Sequence, residues 1–275
     1  MSVRAAPTER FVRLHYRNDF SIYEISMSNQ RIIQNCRILL SAYEDGKLGQ
    51  TVMPEDSNPG FSKAQTEQKL SYFSLPMSLN YQRNSYELWK SALKTYQDNS
   101  TKDVFDVKTA SKIPKNDLRK KLTKHKLALQ PNKHINTWQK ISKTVYENWG
   151  SFGSLLNDCD NDFLKLRQVI QKDYKKGFPY LSGPKIFNYW SFILMRYCDV
   201  PLRNAEFIEI APDTHITKCS VILDVITEEE AERLNKEEIS TRWREMLTGT
   251  GINPIDMHPP LWFWSRNGFI LELDN

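Results

Sequence analysis

The sequence predicts a mainly α-helical protein with a substantial core. Apolar residues recur at helical spacing along much of the chain, as at Ile32, Cys36, Leu39 and Leu40. Hydrophobic residues make up 40% of the 275 positions and aromatic residues 12%, so a packed core is expected and a disordered chain is excluded. A chain of this length forms one large domain or two lobes that share a cleft.

Helical periodicity extends over eight segments. The predicted helices cover 25–43, 67–96, 117–129, 135–149, 163–174, 186–197, 213–223 and 228–246. Helix-breaking residues separate them: Gly46 follows the first, Pro131 divides the third from the fourth, and Gly177 follows the fifth. Pro76 interrupts the second, because proline removes a helix hydrogen bond. Pro184 suits the first position of the sixth.

The remaining segments are predicted to be non-helical. An extended arm or a pair of edge strands is expected over 1–20, and a loop rich in glycine and proline over 47–62. The tail 254–269 is rich in proline and aromatic residues, and 270–273 is predicted as a short strand. Trp262 and Trp264 in this tail suit either stacking on a base or closing the core.

Several classes of protein are excluded by composition. No apolar run reaches the ~18 residues that span a bilayer, and the N-terminus lacks the apolar core of a secretory signal. We therefore expect no membrane association and a cytoplasmic, nucleoid-associated location, or a nuclear one in a eukaryote. The four cysteines form no C-x-x-C pair, so they are expected to be buried free thiols, and we expect no metal and no cofactor.

Positive charge is concentrated in residues 108–143. This segment has eleven Lys or Arg residues and one acidic residue, Asp117, whereas the whole chain has a net charge of +5. Such a concentration predicts a face that binds a polyanion, with Lys120, Lys121 and Lys124 among its cations. The alternative is an ordinary solvated helix surface that is rich in lysine.

Two short motifs carry the chemistry. Gly183-Pro184-Lys185 precedes an apolar helix, and the turn Leu181-Ser182-Gly183 is expected to present backbone amides that hold a phosphate. The alternative is an ordinary turn between helices. Asp213, in Pro212-Asp213-Thr214-His215, has the pattern of a helix N-cap, which would hold its carboxylate rigid.

These motifs resemble those of the helix-hairpin-helix DNA glycosylases. Bifunctional members of that family have a hairpin G-x-K lysine followed by a (V/P)-D-T-H aspartate. Here Leu181 replaces the first glycine of the hairpin pattern, and Lys185 and Asp213 lie 28 positions apart, which is more than is usual in the family. The excess is expected to form a longer loop over 199–209, because loop insertions are well tolerated.

The resemblance implies a role for each motif. Lys185 would be the nucleophile and Asp213 the electrostatic stabiliser, while His215 would pack beside Asp213 or contact phosphate. The segment 79–84 resembles the family's base-pocket segment, so it would contact the extruded nucleotide. The side chains in this segment that would contact the nucleotide are Gln82, Arg83 and Asn84. In the hairpin turn, Ser182 and Gly183 would contact DNA.

The resemblance also implies an overall function. It predicts a monomeric, two-lobed DNA N-glycosylase, of 8-oxoguanine type and with AP-lyase activity if Lys185 is the nucleophile. This enzyme would excise a damaged or modified base from double-stranded DNA during base excision repair. Residues 1–62 would form an arm and a helix that pack on the C-terminal lobe, and 63–275 the glycosylase core. Two alternatives stay open: an N-glycosidase that acts on a free modified nucleoside or nucleotide, as in queuosine salvage, and a non-catalytic DNA-binding protein.

Overall fold

The prediction of a mainly α-helical protein is confirmed. A computed structural model describes residues 29–273, so the predicted arm over 1–20 lies outside the described residues. Helices make up 67% of the structure, and residues 29–273 contain no β-strand. A single parallel bridge joins Asp162 to Arg203. None of the helices in this part of the chain is both long enough and apolar enough to span a bilayer.

Thirteen α-helices lie within the described residues. They are α1 (29–44), α2 (Thr66–Ser74), α3 (Ser85–Gln97), α4 (Val107–Lys112), α5 (Lys115–Lys124), α6 (Pro131–Asn148), α7 (Phe152–Asp158), α8 (Phe163–Gln168), α9 (Pro184–Cys198), α10 (Thr214–Ile222), α11 (Glu228–Arg233), α12 (Lys236–Leu247) and α13 (His258–Arg266). Most begin at a side chain that accepts a hydrogen bond from a backbone amide of the first turn. These N-caps are Asn84, Asp106, Ser151, Asp162, Asp213, Thr227 and Asn235.

Three of the predicted helices are broken more strongly than the sequence indicated. The stretch 67–96 becomes α2, a 3₁₀ turn at Pro76–Leu79 and α3, so that 80–84 is a loop. The stretch 228–246 divides into α11 and α12, because Asn235 caps a new helix with its side chain. Helix α8 continues as a π-helical turn, Val169–Asp173.

The predicted strand over 270–273 is wrong. The chain leaves α13 through Gly268 and Phe269, both with positive φ, and no other described segment lies beside 270–273 as a strand. This tail is instead attached to α13, because the indole Nε1 of Trp264 donates to the carbonyl of Leu271 at 2.9 Å.

The core is a single continuous cluster that extends from α1 to α13. Helix α9 crosses its centre, where the Trp190 indole donates to Ser74 Oγ of α2 at 2.9 Å. Helix α1 packs against the C-terminal helices, with Tyr43 stacked on Phe263 at 5.9 Å. The four cysteines are buried and unpaired, as predicted, and burial raises the pKa of the Cys36 thiol to about 12.

Candidate active site

The candidate active site is a cavity of about 430 Å³, and four helices contribute residues to its wall. This volume is within the range of small-molecule binding sites. Helices α3, α9 and α10 contribute residues near their N-termini, and α13 contributes residues along its whole length. The residues that these helices contribute include Asn84, Lys185, Asp213, His215, His258 and Trp262.

Asp213 is the N-cap of α10, as predicted. Its Oδ1 accepts hydrogen bonds from the backbone amides of His215 at 2.9 Å and Ile216 at 3.0 Å. Its Oδ2 accepts no hydrogen bond from the described residues, and the side chain is only half-buried. One carboxylate oxygen is thus fixed by the helix, while the other is available to a ligand in the cavity.

Lys185 lines the same cavity from the first turn of α9. Gly183 is the N-cap of this helix and Pro184 its first residue, as the sequence indicated. The ammonium group of Lys185 is exposed and makes no hydrogen bond or ion pair with the described residues. The lysine is therefore available to a substrate beside Asp213.

The segment over 199–209, between α9 and α10, is a loop, as predicted. After Asp199, whose φ is 57°, the chain contains only one short 3₁₀ turn before α10. Several contacts hold the loop in place. Among them, Asn204 Nδ2 donates to Asp162 Oδ2 at 2.6 Å, and the amide of Glu209 donates to Asn188 Oδ1 at 3.0 Å. This loop therefore returns the chain from the end of α9 to the cavity wall.

The hairpin turn does not offer the amides that were expected. The amide of Ser182 donates to Phe178 O at 2.9 Å, and that of Gly183 to Tyr180 O at 3.0 Å. Both amides are used within the turn, so the expectation that they hold a phosphate is corrected. Neither residue lines the cavity.

The loop over 80–84 lies at the cavity, but its three candidate side chains differ in freedom. Gln82 is exposed with φ of 48° and makes no side-chain hydrogen bond to the described residues. Arg83 donates to Leu127 O at 2.8 Å, which ties the loop to the turn before α6. Asn84 caps α3 by accepting from the amide of Glu87 at 3.2 Å. Gln82 alone is free to reach a ligand.

The side chain of His215 lines the cavity and packs against α13, while its backbone amide donates to Asp213. Its Nδ1 lies 3.0 Å from Ser265 Oγ, and its ring meets Trp262 edge to face at 5.5 Å. Trp262 lines the cavity, whereas Trp264 is buried in the core. Trp264 therefore closes the core, which is one of the two roles that the sequence allowed, and stacking on a base stays a prediction for Trp262.

Three lysines of α5 form ion pairs, two of them with carboxylates that lie outside 108–143. Lys120 pairs with Asp117 at 3.2 Å, Lys121 with Asp103 at 2.6 Å, and Lys124 with Asp98 at 2.7 Å. None of the three lysines lines the cavity. These ion pairs offset part of the positive charge of α5, and binding of a polyanion by this segment stays a prediction.

Two buried titratable groups near the cavity were not anticipated. His258 lines the cavity, is 8% exposed, and its buried Nδ1 has no hydrogen-bond partner among the described residues. Burial lowers the pKa of His258 to about 4; the charge of Asp213 opposes this shift and that of Lys185 adds to it. Burial in the cavity wall therefore favours the neutral form of the His258 imidazole.

Glu55 lies behind the cavity wall formed by Met53 and Pro54. It is fully buried, and burial raises the pKa of its carboxyl group to about 7. Tyr189 of α9, which lines the cavity, donates to Glu55 Oε2 at 3.2 Å. Sequence spacing gave no signal for Glu55 or His258, because the contacts of both side chains are with distant segments.

Comparison with known proteins adds no family. No protein-family model matches the chain, and no curated protein matches its sequence significantly. The glycosylase resemblance therefore rests on the short sequence motifs.

Proposed function

We propose that this protein is a DNA N-glycosylase that excises a damaged or modified base. One observation carries the proposal: Lys185, Asp213 and the loop over 80–84 line one cavity, although they are far apart in sequence. A nucleophilic amine, a fixed carboxylate and a polar loop are the groups that cleavage of an N-glycosidic bond in an extruded nucleotide requires.

The geometry of Asp213 fits stabilisation of a sugar cation. When the bond between C1′ and the base nitrogen breaks, its electron pair leaves with the base and positive charge develops on the sugar. The free Oδ2 of Asp213 would face this charge, while the two amides on Oδ1 keep the carboxylate in place. A preorganised charge of this kind requires little rearrangement during the reaction.

Lys185 would complete the reaction as a nucleophile. Its neutral Nζ would form a bond to C1′ as the bond to the base breaks and the base takes the electron pair. Cleavage of the C1′–O4′ bond, with transfer of an amine proton to O4′, would then give a Schiff base with the opened sugar. This intermediate would give the enzyme its lyase activity. We further propose that the helices on either side of the cavity are the two lobes of a glycosylase-like fold.

The charges of the cavity favour a nucleotide. Its lining residues include three cations, Arg83, Lys185 and Arg266, and one carboxylate, Asp213. The N-terminal turns of α3, α9 and α10 add positive helix dipoles. A phosphorylated sugar suits this environment better than a neutral one.

A second candidate is hydrolysis of a free modified nucleotide. The ion pairs of Lys120, Lys121 and Lys124 favour it, because they weaken the evidence for a DNA face on α5. A small substrate would need the cavity and Asp213 but no extended basic surface.

Borohydride trapping on a panel of lesion-containing duplexes tests the proposal. We expect base excision and a covalent protein–DNA adduct that Lys185→Gln abolishes. Lys176→Gln is a matched control, because Lys176 is an exposed lysine on the approach to the same hairpin and does not line the cavity. Turnover of free modified nucleotides without excision from any duplex would replace the DNA proposal with the second candidate.

A further inference from the structure

Arg266 lies in the cavity wall over two neighbouring aromatic rings, whose centres are 6.3 Å apart. Its guanidinium carbon lies 4.6 Å from the ring centre of Tyr86 and 4.7 Å from that of Trp262. Tyr86 is itself fixed, because its hydroxyl donates to Val52 O at 2.8 Å. Contact with the two rings orients the planar guanidinium and leaves its N–H groups free to bind a ligand.

Arg266 has no polar partner among the described residues, which is also true of Arg37, Arg167 and Arg233, but of these four it is the one that lines the cavity. Arg83 donates to backbone carbonyls, and the guanidinium groups of Arg31, Arg242 and Arg244 pair with carboxylates. Arg266 is exposed and makes no ion pair or hydrogen bond with a residue in 29–273. It is therefore an oriented cation whose donors are unused within the described structure.

The position of Arg266 relates it to the candidate catalytic carboxylate. One face of Trp262 meets Arg266, and the same indole meets the ring of His215 at 5.5 Å. The amide of His215 in turn donates to Asp213. One aromatic side chain thus separates the guanidinium from the turn that holds the carboxylate. A group bound by Arg266 would belong to the same nucleotide as the sugar, or to the next one.

We infer that Arg266 is a specificity-determining residue that binds a phosphate ester attached to the sugar whose glycosidic bond is cleaved. This inference rests on the proposed function. A guanidinium with free N–H groups matches phosphate oxygens in a bidentate arrangement, and its charge does not depend on pH in the physiological range. The phosphate is a diester in DNA or a monoester in a free nucleotide.

The test combines a change in the protein with a change in the ligand. The first probe is a duplex with a central tetrahydrofuran abasic-site analogue, and the second carries a neutral methylphosphonate in place of the phosphate on its 5′ or 3′ side. We expect Arg266→Gln to weaken binding of the first probe by about tenfold or more. We expect one methylphosphonate position to weaken binding to the unaltered protein equally, and to have little further effect in Arg266→Gln.

Two variants serve as controls. Arg196→Gln removes another guanidinium that lies over an aromatic ring, that of Tyr43 at 5.6 Å, but not in the cavity, so we expect unchanged binding. Arg266→Lys keeps the charge without the planar fork, and we expect intermediate binding. If Arg266→Gln does not fold, Arg266→Lys and the methylphosphonate duplexes still test the inference.

A third measurement identifies the source of the phosphate. If the substrate is a free nucleotide, 2-deoxyribose 5-phosphate binds more tightly than 2-deoxyribose, Arg266→Gln removes this preference, and methylphosphonate has no effect in the duplex. If Arg266→Gln changes neither the effect of methylphosphonate on duplex binding nor the preference for 2-deoxyribose 5-phosphate over 2-deoxyribose, the inference is wrong. A dependence on Arg266 without cleavage of any N-glycosidic bond would keep the phosphate site and refute the proposed function.

Discussion

Replacement of Asp213 separates its two roles. Oδ1 accepts two backbone amides, at 2.9 and 3.0 Å, whereas Oδ2 is free for a substrate. Asn is as good an N-cap as Asp, so Asp213→Asn keeps the helix start and should change the free energy of unfolding by less than about 0.5 kcal/mol. The same change removes the negative charge, and we expect base excision to fall by about a hundredfold or more.

Asp213→Ala removes the cap as well as the charge. We expect an additional loss of about 1 kcal/mol in the free energy of unfolding. For a chain of this size, that loss lowers the melting temperature by about 2–4 °C. Both alterations should lower excision to a similar extent, since the free carboxylate oxygen is lost in each.

The assay pairs single-turnover excision with thermal and urea unfolding. Asp106→Ala is the control: Asp106 caps α4 by accepting from the amide of Thr109 at 2.7 Å, and it lies outside the cavity. It should lower stability like Asp213→Ala but leave excision unchanged. Near-normal excision by a folded Asp213→Asn protein would refute the assignment of Asp213.

Three further outcomes are expected. Lys185→Arg should preserve duplex binding but give no borohydride adduct in a gel assay, because a guanidinium does not form the Schiff base. Lys108, Lys115 and Lys126 have no ion pair with a described residue. Changing these three lysines to Glu should lower the log–log salt slope of duplex binding by roughly 0.9 for each lysine that contacts a phosphate. The same changes at Lys120, Lys121 and Lys124, which are paired, should lower the slope less. Burial raises the pKa of Glu55 from 4.5 to about 7. The contribution of Glu55 to stability is therefore present at low pH and is lost as the pH rises through 7. Between pH 5 and pH 8, the free energy of unfolding should fall by about 2–3 kcal/mol more in the unaltered protein than in Glu55→Gln. A larger fall in Glu55→Gln would contradict that assignment.

Features that depend on local sequence could be predicted. The helical period, the proline at the start of α9 and the cap of α10 each involve residues within one or two helical turns. The break over 80–84 was underestimated because it depends on Arg83, which bonds to a carbonyl 44 positions away. Nothing within the segment itself specifies that partner.

Contacts with distant residues also explain why the free positive charge of 108–143 was overestimated. A count of charges within 108–143 found one acidic residue, but the partners of Lys121 and Lys124 are Asp103 and Asp98, which precede that segment. Folding brings α5 against the turn after α3, so that these carboxylates offset part of its charge. Local charge density overstated how much of this surface is available to a polyanion.

The two unpaired cations of the cavity, Lys185 and Arg266, cannot exchange roles under the proposed chemistry. Lys185 must lose its proton before Nζ attacks C1′, so it cannot also supply a permanent charge that holds the substrate. A guanidinium keeps its charge at any physiological pH and cannot form a Schiff base, so the lasting contact with phosphate suits Arg266. The contacts of Arg266 with Tyr86 and Trp262 fix its plane without neutralising it, whereas a carboxylate partner would compete with the substrate phosphate. Recognition of substrate charge is therefore expected mainly in the cavity wall, with α5 in a secondary role.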